Sequence, residues 1–147
     1  MESHVNIAAS KGKERILDVL LNYFKPDRNK YPTILSQALL HAFLGSHPFI
    51  AIKLNKLGTK FTISMFAQLC VEGEENMLEL AYSMISEEDL IEERNNYNIC
   101  TFLALTGDYR RFDFLESKGL LNISKCTELM KNMKKVMKNQ EQSSLPG

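Results

Sequence analysis

The sequence predicts an all-α fold of stacked helix-turn-helix units, closed by a C-terminal capping helix. Three observations carry this. A short apolar run ending near a glycine or serine recurs: Ile7-Ala8-Ala9 before Gly12, Leu39 to Leu44 before Ser46, Phe66 to Val71 before Gly73, and Ile99 to Ala104 before Gly107. The residues four, five and eight places after each pivot are apolar, with Arg111 the one exception; this is the spacing of a helix face. Gly58 and Gly119 stand twelve places after their pivots, where a helix C-cap belongs. One such helix pair cannot bury its apolar face alone, so the copies are expected to stack.

Each element follows in order. Ser3 caps a short helix through Ala9, and Gly12 stops it. Lys13 to Phe24 is amphipathic through Ile16, Leu17, Leu20, Leu21 and Phe24. Residues 25–32 form a polar connection bracketed by Pro26 and Pro32, which exclude a regular strand. A helix runs from Thr33 to Leu44. The next has Ser46 as its cap and Pro48 in its first turn, where a missing N–H costs little; it ends near Lys56, before Gly58. Residues 58–62 connect to a third pair, Thr62 to Cys70 and Glu74 to Met84. Ser86 and Asp89 make a capping box that opens a short extra helix ending near Glu93. Arg94 to Asn98 reads as a turn-rich loop, and the pair around Gly107 follows. From Ser124, the apolar stripe Cys126, Leu129, Met130, Met133, Met137 is flanked by Lys125, Lys131, Lys134, Lys135 and Lys138. The repeats then cover roughly 3–32, 33–60, 61–97 and 98–122 of a single domain, with the capping helix over 124–138 and a flexible tail over 139–147.

The pivots Gly12, Ser46, Gly73 and Gly107 are 34, 27 and 34 residues apart. With that spacing the pattern, from about Val5 to Leu121, resembles the ankyrin repeat, whose period is about 33 residues. The nearest matches are Ala8 to Gly12 with Ile16 to Leu21, and Ser46-His47 through Ile50 to Gly58. No copy carries the Thr-Pro-Leu-His opening of that family, and stacked helix pairs of a general kind share the pattern. The resemblance implies a binding scaffold, or an inhibitor that masks a partner.

Composition narrows the function classes. Lys and Arg number 18, Asp and Glu 18, and the formal net charge is zero, which gives no general reason to expect nucleic acid. The basic tail has no interleaved aromatics, and Trp is absent. No apolar run reaches the roughly 20 residues that span a bilayer, so membrane insertion is not expected. Three separated cysteines, Cys70, Cys100 and Cys126, fit free thiols in a reducing compartment, with cytoplasm as the expected location and the nucleus open. Cys70 and Cys100 read as small buried hydrophobes. Charge is segregated: residues 73–100 hold eight acidic groups against one basic. That block is a solvated face, a site for a basic partner segment, or a surface for self-association.

No enzyme motif assembles. The chain has no His-Glu-x-x-His, no Cys/His cluster at ligand spacing, no phosphate loop and no nucleophile elbow. His41 and His47 flank one turn and read as packing or turn-bonding residues. No cofactor or metal is expected. The expected function is non-catalytic binding of another protein, by a chain taken as a monomer. Its surface is expected to comprise Arg28, Lys30 and Tyr31 in the first connection, Lys60 and Phe61 in the second, and Arg94, Asn95 and Tyr97 in the third. His41, Gln68 and Thr101 are expected to face a concave groove. The alternative is that the Lys-rich, Met-rich C-terminal helix binds an acidic partner or an anionic membrane surface.

Overall fold

The computed structural model describes the backbone of residues 2–144 and the side chains of residues 2–139. Among the described residues it is all-helical, with ten α-helices, one 3-10 turn and no strand. The helices are α1 (Glu2–Ser10), α2 (Glu14–Phe24), α3 (Tyr31–Leu44), α4 (Pro48–Lys56), α5 (Ile63–Glu72), α6 (Leu78–Ser83), α7 (Glu87–Asn96), α8 (Asn98–Thr106), α9 (Phe112–Ser117) and α10 (Ile123–Ser144). The 3-10 turn, Glu75–Met77, leads into α6. The chain divides into two compact units, Met1–Leu90 and Ile91–Gly147, so the division falls inside α7. The expected repeat over 61–97 crosses it.

In the first unit α1 packs on α2 and α3, α3 on α4 and α5, and α5 on α6. Its core is apolar: Val5, Leu17, Ala38, Leu39, Phe43, Leu54, Phe66, Leu69 and Leu78 are all essentially inaccessible. Close approach is built into the backbone here. A Cβ on Gly45 would sit 2.0 Å from the Ser10 carbonyl oxygen, so α1 and α3 meet backbone to backbone at their C-terminal ends. Helix α2 turns Leu17, Leu21 and Phe24 inward and leaves Ile16, Val19 and Tyr23 exposed, so Ile16 is not on the buried face. In the second unit α8 packs on α10, and Ile99, Cys100, Leu103, Leu115, Leu120 and Cys126 are buried.

The pivots have a common chemistry. Gly12, Ser46 and Gly107 are left-handed, with φ of 72°, 61° and 77°. Each carries the same two hydrogen bonds. Lys13, His47 and Asp108 N–H donate to the carbonyls of Ala8, Ala42 and Leu103, while the pivot N–H groups donate to Ala9, Phe43 and Ala104. That pair of bonds is a Schellman motif, which satisfies carbonyls orphaned at a helix end. Gly73 departs: it is extended, at φ −89° and ψ 173°, and its N–H donates to Leu69. Burial at the position four after the pivot is kept at Ile50, Met77 and Arg111, although Arg111 changes its polarity.

Several expected boundaries move. Ser46 turns the chain rather than capping α4, whose N-cap is His47. Thr62, expected as the first residue of its helix, is instead the cap of α5, its hydroxyl accepting from Met65 N–H. Ser86 Oγ accepts from Asp89 N–H at 3.2 Å and opens α7 as the capping box implied. That helix, however, continues through Arg94, Asn95 and Asn96. The expected loop over 94–98 therefore shrinks to Tyr97 alone, left-handed at φ 54°. Helix α10 runs on past 138 to Ser144, and residues 145–147 of the expected tail lie outside the described residues.

Candidate functional site

The two connections of the first unit are pinned by local polar bonds. Asp27 Oδ1 accepts from the N–H groups of Asn29 and Lys30, each at 3.2 Å, an Asx arrangement that shapes the turn before α3. Pro32 lies in the first turn of α3. In the second connection Asn55 Nδ2 donates to the Thr59 carbonyl at 3.0 Å, and Gly58 takes φ 94°. Phe61 then drops into the core. It is 1% exposed, with its ring 5.0 Å from Phe43 and 6.4 Å from Phe66, both edge-on. This corrects its expected role as a surface anchor: burying an aromatic ring contributes about 1.5–3 kcal/mol, which a solvent-facing Phe61 would forfeit.

Tyr31, expected in the first connection, is the first residue of α3, and it shares a cavity with Lys60 of the second connection. Both line one cavity of about 410 Å³, with Pro32, Leu35, Ser36, Leu57, Gly58 and Thr59 completing the wall. Tyr31 and Leu57 also line a neighbouring cavity of about 300 Å³ that reaches Asp18, Lys25 and Lys53. Lys53 Nζ is held there by Asp18 at 2.6 Å and Glu14 at 3.3 Å. Its hydrogen bond to the Asp18 carboxylate is the main reason its pKa is raised above the ordinary value. Thr59 is 5% exposed, and its Oγ1 is buried with no hydrogen-bond partner among the described residues.

Arg28 and Lys30 are exposed in the first connection but do not line the cavity. His41 is half-buried in the last turn of α3, and the ring of His47 lies against Gly12. Gln68 is exposed on α5 and donates to Glu72 at 3.1 Å. Among the described residues no three His, Cys, Asp or Glu side chains come together as metal ligands, and no helix is long and apolar enough to cross a membrane.

In the second unit Arg94, Asn95 and Thr101 sit on helices, and Tyr97 is the corner between two of them. Asn95 is exposed on α7, whereas Arg94 is half-buried and its Nε donates to the Lys118 carbonyl at 3.4 Å. Tyr97 is half-buried; its ring centroid lies 5.9 Å from Lys125 Nζ, which also donates to the Asn96 carbonyl. Thr101 is half-buried on α8, and its Oγ1 has no partner among the described residues.

No family model, no curated protein and no solved structure matches this chain.

The sequence reading missed three features. The first is Glu93, placed with its neighbours on a hydrated acidic face. Glu87, Glu88 and Glu92 are exposed, but Glu93 is 2% exposed and Oε1 accepts from Ile99 N–H at 2.8 Å, capping the start of α8. Burial pushes its carboxyl above the ordinary range, partly offset by hydrogen bonds from the Ile99 and Asn98 backbone. Glu93 stands three places after buried Leu90, and that spacing was the available signal. The second is the thiol pair: Cys126 Sγ is 3.3 Å from Cys100 Sγ. Burial first, with the neighbouring Cys126 adding to it, pushes Cys100 up to about 11. No sequence spacing announces a pair 26 residues apart. The third is Thr59, a polar side chain read only as part of a connection.

Proposed function

We propose that this chain is a non-catalytic interaction module that binds another protein through the edge formed by residues 25–32 and 57–60. The observation that carries it is the convergence of Tyr31 and Lys60 on one cavity. An aromatic ring and a cation beside an apolar depression are what an anchoring side chain of a partner needs. The scaffold is read as an ankyrin-like stack of helix pairs. Supporting this are the three identical turns at Gly12, Ser46 and Gly107, and the packing of α1, α3 and α5 in succession. Capture from a cell lysate tests the function. The intact chain is expected to retain a partner that a still-helical Tyr31→Ala, Lys60→Ala variant loses. Equal capture by both removes the reading.

A second reading rests on a separate observation. Met133, Val136 and Met137 on α10 are exposed, and Lys131, Lys134, Lys135 and Lys138 stand among them with no acid from 129 to 138. This face suits an acidic partner or an anionic membrane surface. Flotation with anionic vesicles, lost when 131–138 is made neutral and polar, is the result that favours it.

A further inference from the structure

We propose that Cys100 and Cys126 are a modification site: a reversible disulfide, installed by a small-molecule disulfide, that pins the start of α10 to α8. The proposal is independent of the interaction edge, which belongs to the first unit. Three observations carry it. The first is geometry. Cys126 Sγ lies 3.3 Å from Cys100 Sγ, between α10 and the α8 it packs on, and its S–H donates to that sulfur. A disulfide bond is about 2.05 Å long, so the sulfurs have only about an ångström to close. The second is placement. Both thiols lie inside the second unit, 26 residues apart in the chain, so their joining closes a loop within one molecule. The third is what holds α10. Among its described side chains Cys126 alone is buried; Lys125, Leu129 and Met130 are half-buried, and all of 131–139 are exposed. A helix anchored by a single buried side chain opens locally at low cost, and that opening gives a reagent its route to the sulfur. A covalent bond at the same point fixes the helix.

The chemistry is thiol–disulfide exchange in two steps. Cys126 is the first nucleophile, because it rides on the helix that opens, whereas Cys100 on α8 is fully buried. Burial also pushes the Cys100 thiol up to about 11, which leaves little thiolate for a first attack. The Cys126 thiolate attacks one sulfur of oxidised glutathione, the reagent's S–S bond breaks, and one glutathione leaves as its thiol. Cys100 Sγ then loses its proton and attacks Cys126 Sγ, and the second glutathione leaves. The backbone N–H of Asn122 favours the Cys100 thiolate in that step. The two cysteines have then given up two protons and two electrons, and the reagent has been reduced to two thiols.

The test uses the parent full-length chain. It is equilibrated with mixtures of reduced and oxidised glutathione, quenched in acid, alkylated in denaturant and mapped by peptide mass. The expected product is two hydrogens lighter, with Cys100 joined to Cys126, Cys70 still alkylated, and the bond reversed by a reducing dithiol. The oxidation constant against glutathione is expected to be about ten-fold or more larger for the folded chain than for the same chain in concentrated urea, because folding has already brought the sulfurs together. The oxidised form should accordingly melt above the reduced form, and its amide exchange over 123–130 should be about ten-fold slower. Two variants test the route: Cys100→Ala is expected to accumulate glutathione on Cys126, and Cys126→Ala to leave Cys100 largely unmodified. A disulfide that includes Cys70, chains linked in pairs, glutathione retained on either cysteine of the parent chain, or no oxidation overturns the proposal. So does a folded-state constant no larger than that in urea, or melting and α10 exchange unchanged by oxidation. A still-helical Cys126→Ala that takes glutathione on Cys100 as readily as Cys100→Ala takes it on Cys126 overturns it too, since opening of α10 would then not be the route.

Discussion

The two units bury different things. Among the described residues, the first closes on aliphatic and aromatic side chains, with Thr59 its one buried hydroxyl-bearing side chain. The second buries Glu93, Arg111 and the facing thiols of Cys100 and Cys126 among its leucines. An apolar core is held by area and shape, so it tolerates no loss of volume but makes few directional demands. A core with polar members has to satisfy each one, and its geometry is correspondingly specified. The first unit therefore spends its polar groups at the surface, around the cavity, while the second spends its own on joining helices.

That contrast can be broken at several points. The largest effect is expected from Phe61→Ala, which removes the ring packed on Phe43 and Phe66 and should cost about 3–5 kcal/mol in denaturant unfolding. A value near zero would return Phe61 to the surface. Next is the thiol of Cys100, pushed up from 9.0 to about 11. The smaller thiolate fraction alone should slow its alkylation at neutral pH roughly a hundred-fold, and denaturation should release it. Rapid labelling of the folded chain would show the second core to be open.

Glu93→Ala leaves Ile99 N–H buried without its acceptor and is expected to cost about 1–3 kcal/mol. Glu93→Gln sharpens the same point through pH. The folded carboxyl holds its proton more tightly than the ordinary value of 4.5, so its contribution to stability is present in full below that value. It is lost as pH rises through the raised folded value. The parent chain should accordingly lose Tm relative to Glu93→Gln over that window, and a parallel pair of curves would exclude the burial of a titrating group. The smallest effect belongs to the first unit. Ser46 is left-handed without being glycine, so Ser46→Gly should stabilise by about 1 kcal/mol and leave the turn's bonds in place.

Much of the helical layout was legible because its punctuation is local. Gly12, Gly107 and Gly119 stop helices through backbone freedom, and Ser86 starts one through a hydroxyl three residues from its donor. Such signals need only neighbouring residues. The errors fall where a distant partner decides. Phe61 reads as a loop aromatic until Phe43 and Phe66 are beside it. Glu93 reads as one acid among eight until Ile99 N–H faces it. Arg94, Asn95 and Asn96 look turn-prone, yet α7 continues because the change of direction is made by Tyr97 alone. At the candidate site, Tyr31 and Lys60 were named from their chemistry. Their sharing of one cavity, with Ser36 and Thr59 in its wall, depends on how α3 and the 57–60 segment are placed in space.

The corner at Tyr97 also sets how the chain can change in length. One residue separates α7 from α8, and an α-helix advances about 100° in rotation per residue. Inserting or deleting a single residue there would turn the face bearing Ile99, Cys100 and Leu103 by that angle relative to the Glu93 carboxylate that caps it. The six-residue connection between α2 and α3 imposes no such strict phase, since several residues outside the helices can share the adjustment. Insertions are therefore expected to cost less at 28–29, where the local Asp27 bonds are at stake, than at 97, which makes rotational register, rather than side-chain identity alone, a property the second unit has to preserve.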